Sequence, residues 1–223
     1  MEPETGRDIE RFRTGVRRFQ HVSAAPQIVT RIAELTADDP GLGISVWGSL
    51  GEDRNITPVR RHALWRHSLT VAALARRLAE RARLNASAAF MCGLLHDVGK
   101  LVLGLHLGEP YWSLLEGRDK RGADLVRLEA ESFGSDHATV GGWVLSAWRL
   151  PASIVEVVSD HHAKAVERLP EIVTFADDVV TRVEQYGSLT LPPGGLHAPT
   201  PRHLAALYAD AAAETQRLAT LLR

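Results

Sequence analysis

An all-α fold is expected from three features. Apolar residues recur at three- and four-residue intervals along nearly the whole chain. The two-residue alternation of half-buried strands is almost absent. The two stretches without helical periodicity have neither the length nor the composition of an interdomain linker. At 223 residues the chain can form one large domain or two small ones.

Taken in order, Ile28, Ile32 and Leu35 fall at i, i+4 and i+7 behind Pro26, whose fixed φ suits a helix start. Asp39 to Asn55, with glycines around Ile44-Ser45-Val46-Trp47, reads as irregular. A long helix is expected from about Pro58 to Arg83, carrying Leu64, Leu69, Val71, Leu74, Ala75 and Leu78. Ser87 is a candidate cap for the next, with Phe90, Leu94, Leu95, Val98 and Leu101, ending near Gly104. Ser135 or Asp136 can cap a helix carrying Val140, Trp143, Val144 and Trp148. Pro151 starts one with Ile154, Val157 and Val158, and Pro170 opens one with Ile172, Val173, Ala176, Val179 and Val180. Leu191 to Pro201 is irregular, and a last helix follows to about Leu222. The expected organisation is one domain in three segments: N-terminal helices and an irregular stretch over 1–57, a core over 58–190, and a loop with a C-terminal helix over 191–223.

Composition narrows the function. The net charge is −1, so nucleic acid is not indicated as the main partner. Arg17-Arg18, Arg60-Arg61 and Arg76-Arg77 read as solvated helix faces. The single cysteine, Cys92, excludes an internal disulfide, and its apolar neighbours make it a core residue rather than a nucleophile. No apolar stretch is expected to reach transmembrane length, and the N-terminus lacks a signal-peptide core. A cytoplasmic protein without a membrane partner is the expectation. Trp143 and Trp148, at helical spacing among aliphatic residues, read as core, while Trp47 is the better candidate for facing a ligand.

Chemistry concentrates in Gly93-Leu94-Leu95-His96-Asp97-Val98-Gly99-Lys100. An imidazole beside a carboxylate offers a divalent metal a nitrogen and an oxygen from one helical turn. Lys100 follows Asp97 at i+3, so its ammonium shares that face and suits an anionic, phosphate-bearing substrate. Further candidates stand on other expected helices: His67, His137, His161, His162 and Asp177, with Asp178 as alternative to Asp177. Each alone has an ordinary reading as a core histidine, a helix-terminal cation or a surface acid. Their weight comes from occurring together, because a bundle can join ligands from facing helices. His21, His62, His106, His197 and His203 have no such context.

The order His67, His96-Asp97, Asp177 resembles the HD superfamily of metal-dependent phosphohydrolases, whose fold is a helical bundle with a central metal site. The resemblance implies that His67, His96, Asp97 and Asp177 hold a first metal. It implies that His137 with His161 or His162 serves a second, bridged by Asp97, and that Lys100 contacts substrate phosphate. Within the superfamily the chain is most similar to HDOD domains, the HD-related output domains. The similarity is carried by Leu64-Trp65-Arg66-His67-Ser68, the His96-Asp97 stretch through Leu103, Pro110-Tyr111, Gly134 to Gly141, Trp148 to Pro151 and His161-His162. The segment between Leu35 and Leu64 is shorter than the helical N-terminal half of typical HDOD domains. The Gly-Tyr-Pro motif of the related cyclic-di-GMP phosphodiesterases does not follow His161-His162, so that substrate is not implied.

Two functions are therefore expected to compete. One is hydrolysis of a phosphate ester, phosphodiester or nucleotide-type, with Asp97 and Lys100 in catalytic roles and one or two divalent ions as cofactor. Mixed imidazole and carboxylate ligands suit Fe, Mn, Zn, Ni or Co. The other is a signalling module that binds metal or a nucleotide without turnover and acts through protein partners. A helical interaction protein without metal is a third reading, which makes the ligand set coincidental.

Overall fold

A computed structural model describes residues 55–117, 122–163, 168–189 and 199–220. These residues form nine helices and no strand: α1 Pro58–Ala82, α2 Ala86–Leu95, α3 Val98–Leu107, α4 Glu109–Glu116, α5 Gly122–Phe133, α6 His137–Ala147, α7 Ala152–Ser159, α8 Arg168–Tyr186 and α9 Pro201–Thr220. The helix expected behind Pro26, the segment around Trp47 and most of the stretch from Leu191 lie outside the described residues.

Local chemistry sets the boundaries. Thr57 caps α1 by accepting the Arg60 N–H, with Pro58 next in line. Arg83 closes α1 in the left-handed region at φ 58°, where the Leu84 N–H reaches back to the Ala79 carbonyl. The next cap is Asn85, not Ser87: its side chain accepts the Ala88 N–H at 2.9 Å, so the helix starts two residues earlier. Asp136, not Ser135, caps α6 through the Thr139 N–H at 3.0 Å. Pro170 sits inside the first turn of α8 rather than at its start, where a missing N–H leaves no gap.

The single helix expected from Ser87 to Gly104 is two. It breaks at His96-Asp97, where Asp97 takes φ −99° and ψ 12°. The His96 ring donates Nδ1–H to the Gly93 carbonyl at 2.7 Å, the acceptor that an unbroken helix would give to the Asp97 N–H. α4 and α5 add to the expected set: α4 opens at Glu109-Pro110 just after Gly108, and α5 carries Leu125, Glu129 and Phe133 on one face.

α1 lies against α2, α8 and α9; α6 lies against α3 and α7. Leu69, Val71, Leu74, Phe90, Val140, Leu145, Val158, Val173 and Val180 fill the space between them. α9 is pinned to α1 by Glu214, whose carboxylate meets Arg76 and Arg77, each at 2.7 Å. Trp65, Trp112 and Trp148 are buried and Trp143 packs half-buried on the core. Cys92 is a core residue, and burial pushes its thiol up to about 12.

One expectation needs correction. Ala86–Leu107 is long and apolar enough to reach transmembrane length, but it is broken at His96-Asp97 and almost wholly buried within the bundle. Its apolarity follows from core position on every side.

Two glycines bring the helices close enough to share a site. A Cβ on Gly93 would stand 2.7 Å from the Ala72 Cα, so α2 approaches α1 only without one. A Cβ on Gly99 would collide with the His137 carbonyl, so α3 meets α6 there.

Candidate metal centre

Five histidines converge where these helices meet, and four of them are held the same way. The His67 Nδ1–H donates to Glu184 at 2.9 Å and the His137 Nδ1–H to Glu129 at 2.6 Å. His96 and His161 each lie just past a helix end and donate Nδ1–H to a carbonyl three residues back, Gly93 and Val158, both at 2.7 Å. Those carbonyls would otherwise be helix-terminal orphans. Fixing the proton on Nδ1 turns every Nε2 inward as a donor atom, the arrangement of metal-ligating histidines with their supporting acceptors.

The inward atoms form two adjoining groups around Asp97. On one side His67 Nε2 lies 3.1 Å from Asp177 Oδ1 and 3.6 Å from Asp97 Oδ2, and His96 Nε2 lies 3.3 Å from Asp97 Oδ2. On the other, His137 and His161 Nε2 lie 3.5 and 3.8 Å from Asp97 Oδ1, and His137 and His162 Nε2 face each other at 2.9 Å. Among the described residues, three groups could hold a metal ion: His67, His96 and Asp97; His96, His161 and Asp177, which spans both sides; and His137, His161 and the partly exposed His162. Asp177, rather than Asp178, reaches this cluster, and both His161 and His162 do.

The donor set fits a cation by its own chemistry. Among the buried side-chain atoms without a hydrogen bond are His96 Nε2, Asp97 Oδ1 and His161 Nε2, all facing the shared space. Unpartnered buried donors and acceptors are rare because each costs about 1–3 kcal/mol.

Electrostatics in the metal-free protein follow from crowding. Burial lifts the Asp97 carboxyl, but the His96 and Lys100 charges overcome this and hold it well below the usual range. Asp177 behaves alike through His67 and His96. Burial pulls His67 and His96 down, yet the facing carboxylates push them up to about 10 and about 9. His161, deeper among like rings, is held well below its ordinary value by burial, and His162 falls to about 4.

A cavity of about 390 Å³ opens onto the cluster. His67, Asp97, Lys100, His162 and Asp177 form its floor, while Leu64, Trp112, Leu115 and Leu125 form an apolar wall. Arg60 stands at its edge, two helical turns before His67, bound by Glu109 and Glu116 and 5.6 Å from the Trp112 ring.

The family model for the HDOD domain matches residues 41–164, over half of the chain. The chain belongs to the HDOD family. Its matched region includes every site histidine, whereas Asp177 and Glu184 lie beyond it. Two solved structures share this HDOD fold. An HDOD domain protein of unknown function from Geobacter sulfurreducens has a TM-score of 0.60 at 19% identity, covering 98% of this chain and 93% of its own. A candidate phosphohydrolase from Shewanella amazonensis SB2B has a TM-score of 0.56 at 16% identity, covering 97% and 93%. No curated protein matches the chain.

Glu129 and Glu184, which hold the rings of His137 and His67, are not among the residues expected from the sequence, although their spacing marks them. Glu129 stands between Leu125 and Phe133 on an inward stripe, and Glu184 is two turns from Asp177 with Thr181 between them.

Proposed function

We propose that this HDOD protein is a metal-dependent phosphohydrolase acting on phosphate esters of the phosphodiester or nucleotide type. The observation that carries the reading is the inward-facing donor set, His67, His96, Asp97 and Asp177 beside His137, His161 and His162, with three buried atoms left without hydrogen bonds. His67, His96, Asp97 and Asp177 would hold one divalent ion, and His137, His161 and His162 a second. An ion bound there supplies Lewis-acid activation of water and of the phosphoryl group. Asp97 would serve both halves, because its two oxygens face opposite sides of the centre. Lys100, anchored on Asp97 at the cavity floor, offsets charge developing on the phosphoryl oxygens. The apolar wall excludes water and accepts the organic part of the ester.

The test is turnover of aryl phosphodiesters by the purified protein with added Mn²⁺ or Fe²⁺. Metal-dependent hydrolysis that disappears when His96→Ala and Asp97→Ala are combined is expected. Hydrolysis that survives both changes, or none with any metal, rejects the reading.

Family membership favours a second reading, a regulatory module that binds metal or a nucleotide and acts through a protein partner. Metal and nucleotide binding without hydrolysis is its signature.

A further inference from the structure

Glu129 is fully buried on α5, where the stripe through Leu125 and Phe133 calls for an apolar side chain. A buried carboxylate is unfavourable unless hydrogen bonds and charge compensate it. Three bonds converge on this one. Oε2 accepts both the His137 ring Nδ1–H at 2.6 Å and the His137 backbone N–H at 2.9 Å, and Oε1 accepts the Tyr111 hydroxyl at 2.7 Å. Tyr111 is itself fully buried, edge-on to Trp112 and tilted against Phe133, with ring centroids 5.7 and 5.9 Å away. One carboxylate thus ties α4, α5 and α6 together at the first residue of α6.

Capping α6 needs only a neutral acceptor. A carboxylate does more to the ring: it fixes the proton on Nδ1 and strengthens Nε2 as a donor. The space that Nε2 faces independently points to a cation. His162 Nε2 lies 2.9 Å away, so the two nitrogens require a proton or a metal between them, and His161 Nε2 beside them has no hydrogen bond.

We propose that Glu129, clamped by Tyr111, is the positioning residue of a nitrogen-rich pocket made by His137, His161 and His162, which takes a divalent ion of imidazole preference such as Co²⁺ or Zn²⁺. The proposal rests on the metal-holding part of the proposed function and not on hydrolysis.

Glu129→Gln separates positioning from capping. Its amide oxygen can still accept both His137 N–H groups and its NH₂ can face the Tyr111 oxygen, so the cap persists while the charge is lost. The full chain is titrated with Co²⁺, followed by visible absorbance and equilibrium dialysis. Wild type is expected to bind with a nitrogen-rich spectrum, and Glu129→Gln and Tyr111→Phe to lose about 10–100-fold in affinity. The metal-free melting curve of Glu129→Gln is expected to stay close to wild type. A second measurement is independent of metal. In histidine-¹⁵N-labelled, metal-free protein the His137 ring should be protonated at Nδ1, with that resonance shifted in Glu129→Gln. Unchanged Co²⁺ affinity in both variants, or a His137 ring protonated at Nε2, overturns the proposal. The expected affinity losses without any phosphodiester turnover overturn the hydrolase reading and leave this one standing.

Discussion

Lys100 Nζ donates to Asp97 Oδ2 at 2.6 Å, while Asp97 Oδ1, free of any hydrogen bond, faces His137 and His161. The carboxylate is therefore polarised between a fixed ammonium and an imidazole pair. Both members of the ion pair are largely buried; burial lowers the Lys100 pKa, but Asp97, Asp177 and Glu129 together raise it above its ordinary value. Asp97→Asn should abolish metal-dependent turnover, lower bound metal, and destabilise the metal-free protein by up to about 3–5 kcal/mol, because Lys100 keeps its charge without a counter-ion. Lys100→Ala should retain metal but lower kcat by about 10²–10³-fold, the usual loss of one preorganised charge stabiliser. Elemental analysis, urea denaturation and steady-state kinetics on both variants check this. Full metal loss in Lys100→Ala would show that the lysine supports the site rather than the reaction.

The metal-free centre should have a characteristic pH profile. His67 and His96, pushed up to about 10 and about 9, bind protons in the folded state that the unfolded chain releases near 6.5. Their contribution is present below about pH 6.5 and is lost as pH rises through 9 to 10. His161 and His162 are shifted the other way, so stability also falls as pH drops from about 6.5 toward 4. Asp97 and Asp177, held low, add to the loss on further acidification. The melting temperature in chelator should therefore peak near pH 6.5. Metal saturation requires unprotonated Nε2 atoms, so it should flatten the alkaline limb and raise the melting temperature. At about 100 times Kd the gain is about 2.7 kcal/mol, or about 5–10 °C for a chain of this length. Calorimetry across pH 5–9.5, with and without metal, reads both effects. A chelated protein that gains stability steadily up to pH 9 contradicts the electrostatic account.

Gly99→Ala should damage the centre without touching a ligand. The new Cβ collides with the His137 carbonyl and stands 2.9 Å from the Gly141 backbone N, so α3 must move away from α6. Neither neighbour is a flexible side-chain end. A cost of about 1–3 kcal/mol is expected, as for other overpacked sites. Displacing α3 also carries Asp97 away from His137 and should weaken metal binding. Urea unfolding and metal titration of this single variant check both consequences. An unperturbed midpoint would show that α3 and α6 tolerate separation.

How much of this was readable beforehand depends on what each residue's neighbours in sequence reveal. The all-α class and the seams of α1, α6 and α8 follow from apolar spacing, since Leu64, Val140 and Val173 each recur within a consistent stripe. The ligand candidates were visible because His96-Asp97 is a compact motif and the remaining candidates follow it in order. The break at His96-Asp97 was not visible, because it depends on a side chain taking over a backbone acceptor. Asn85 and Ser87 can each cap a helix, and only the backbone turn decides between them. Glu129 and Glu184 were hidden by their type: a glutamate on a helix reads as solvated, and only the partner rings across the bundle reveal otherwise. Arg60 is solvated as its sequence context implies, but its bonds across from α1 to α4 at the cavity edge depend on tertiary contacts that spacing does not show.

That clamp should govern ligand entry rather than stability. Arg60 makes two bonds to Glu109, at 2.7 and 2.9 Å, and two to Glu116, at 2.6 and 3.0 Å. Both glutamates are well exposed, so solvent screens the pair, and Arg60→Ala should leave the urea midpoint close to wild type. The guanidinium is nonetheless the positive charge that faces both carboxylates at the rim. Without it an incoming phosphate meets two carboxylates that have lost this guanidinium. KM for an anionic phosphodiester should rise with kcat little changed, and the increase should shrink as salt shortens the reach of the field. Kinetics of Arg60→Ala at low and high ionic strength separate the two terms. A fall in kcat at constant KM would place Arg60 in contact with the reacting group instead of at the entrance.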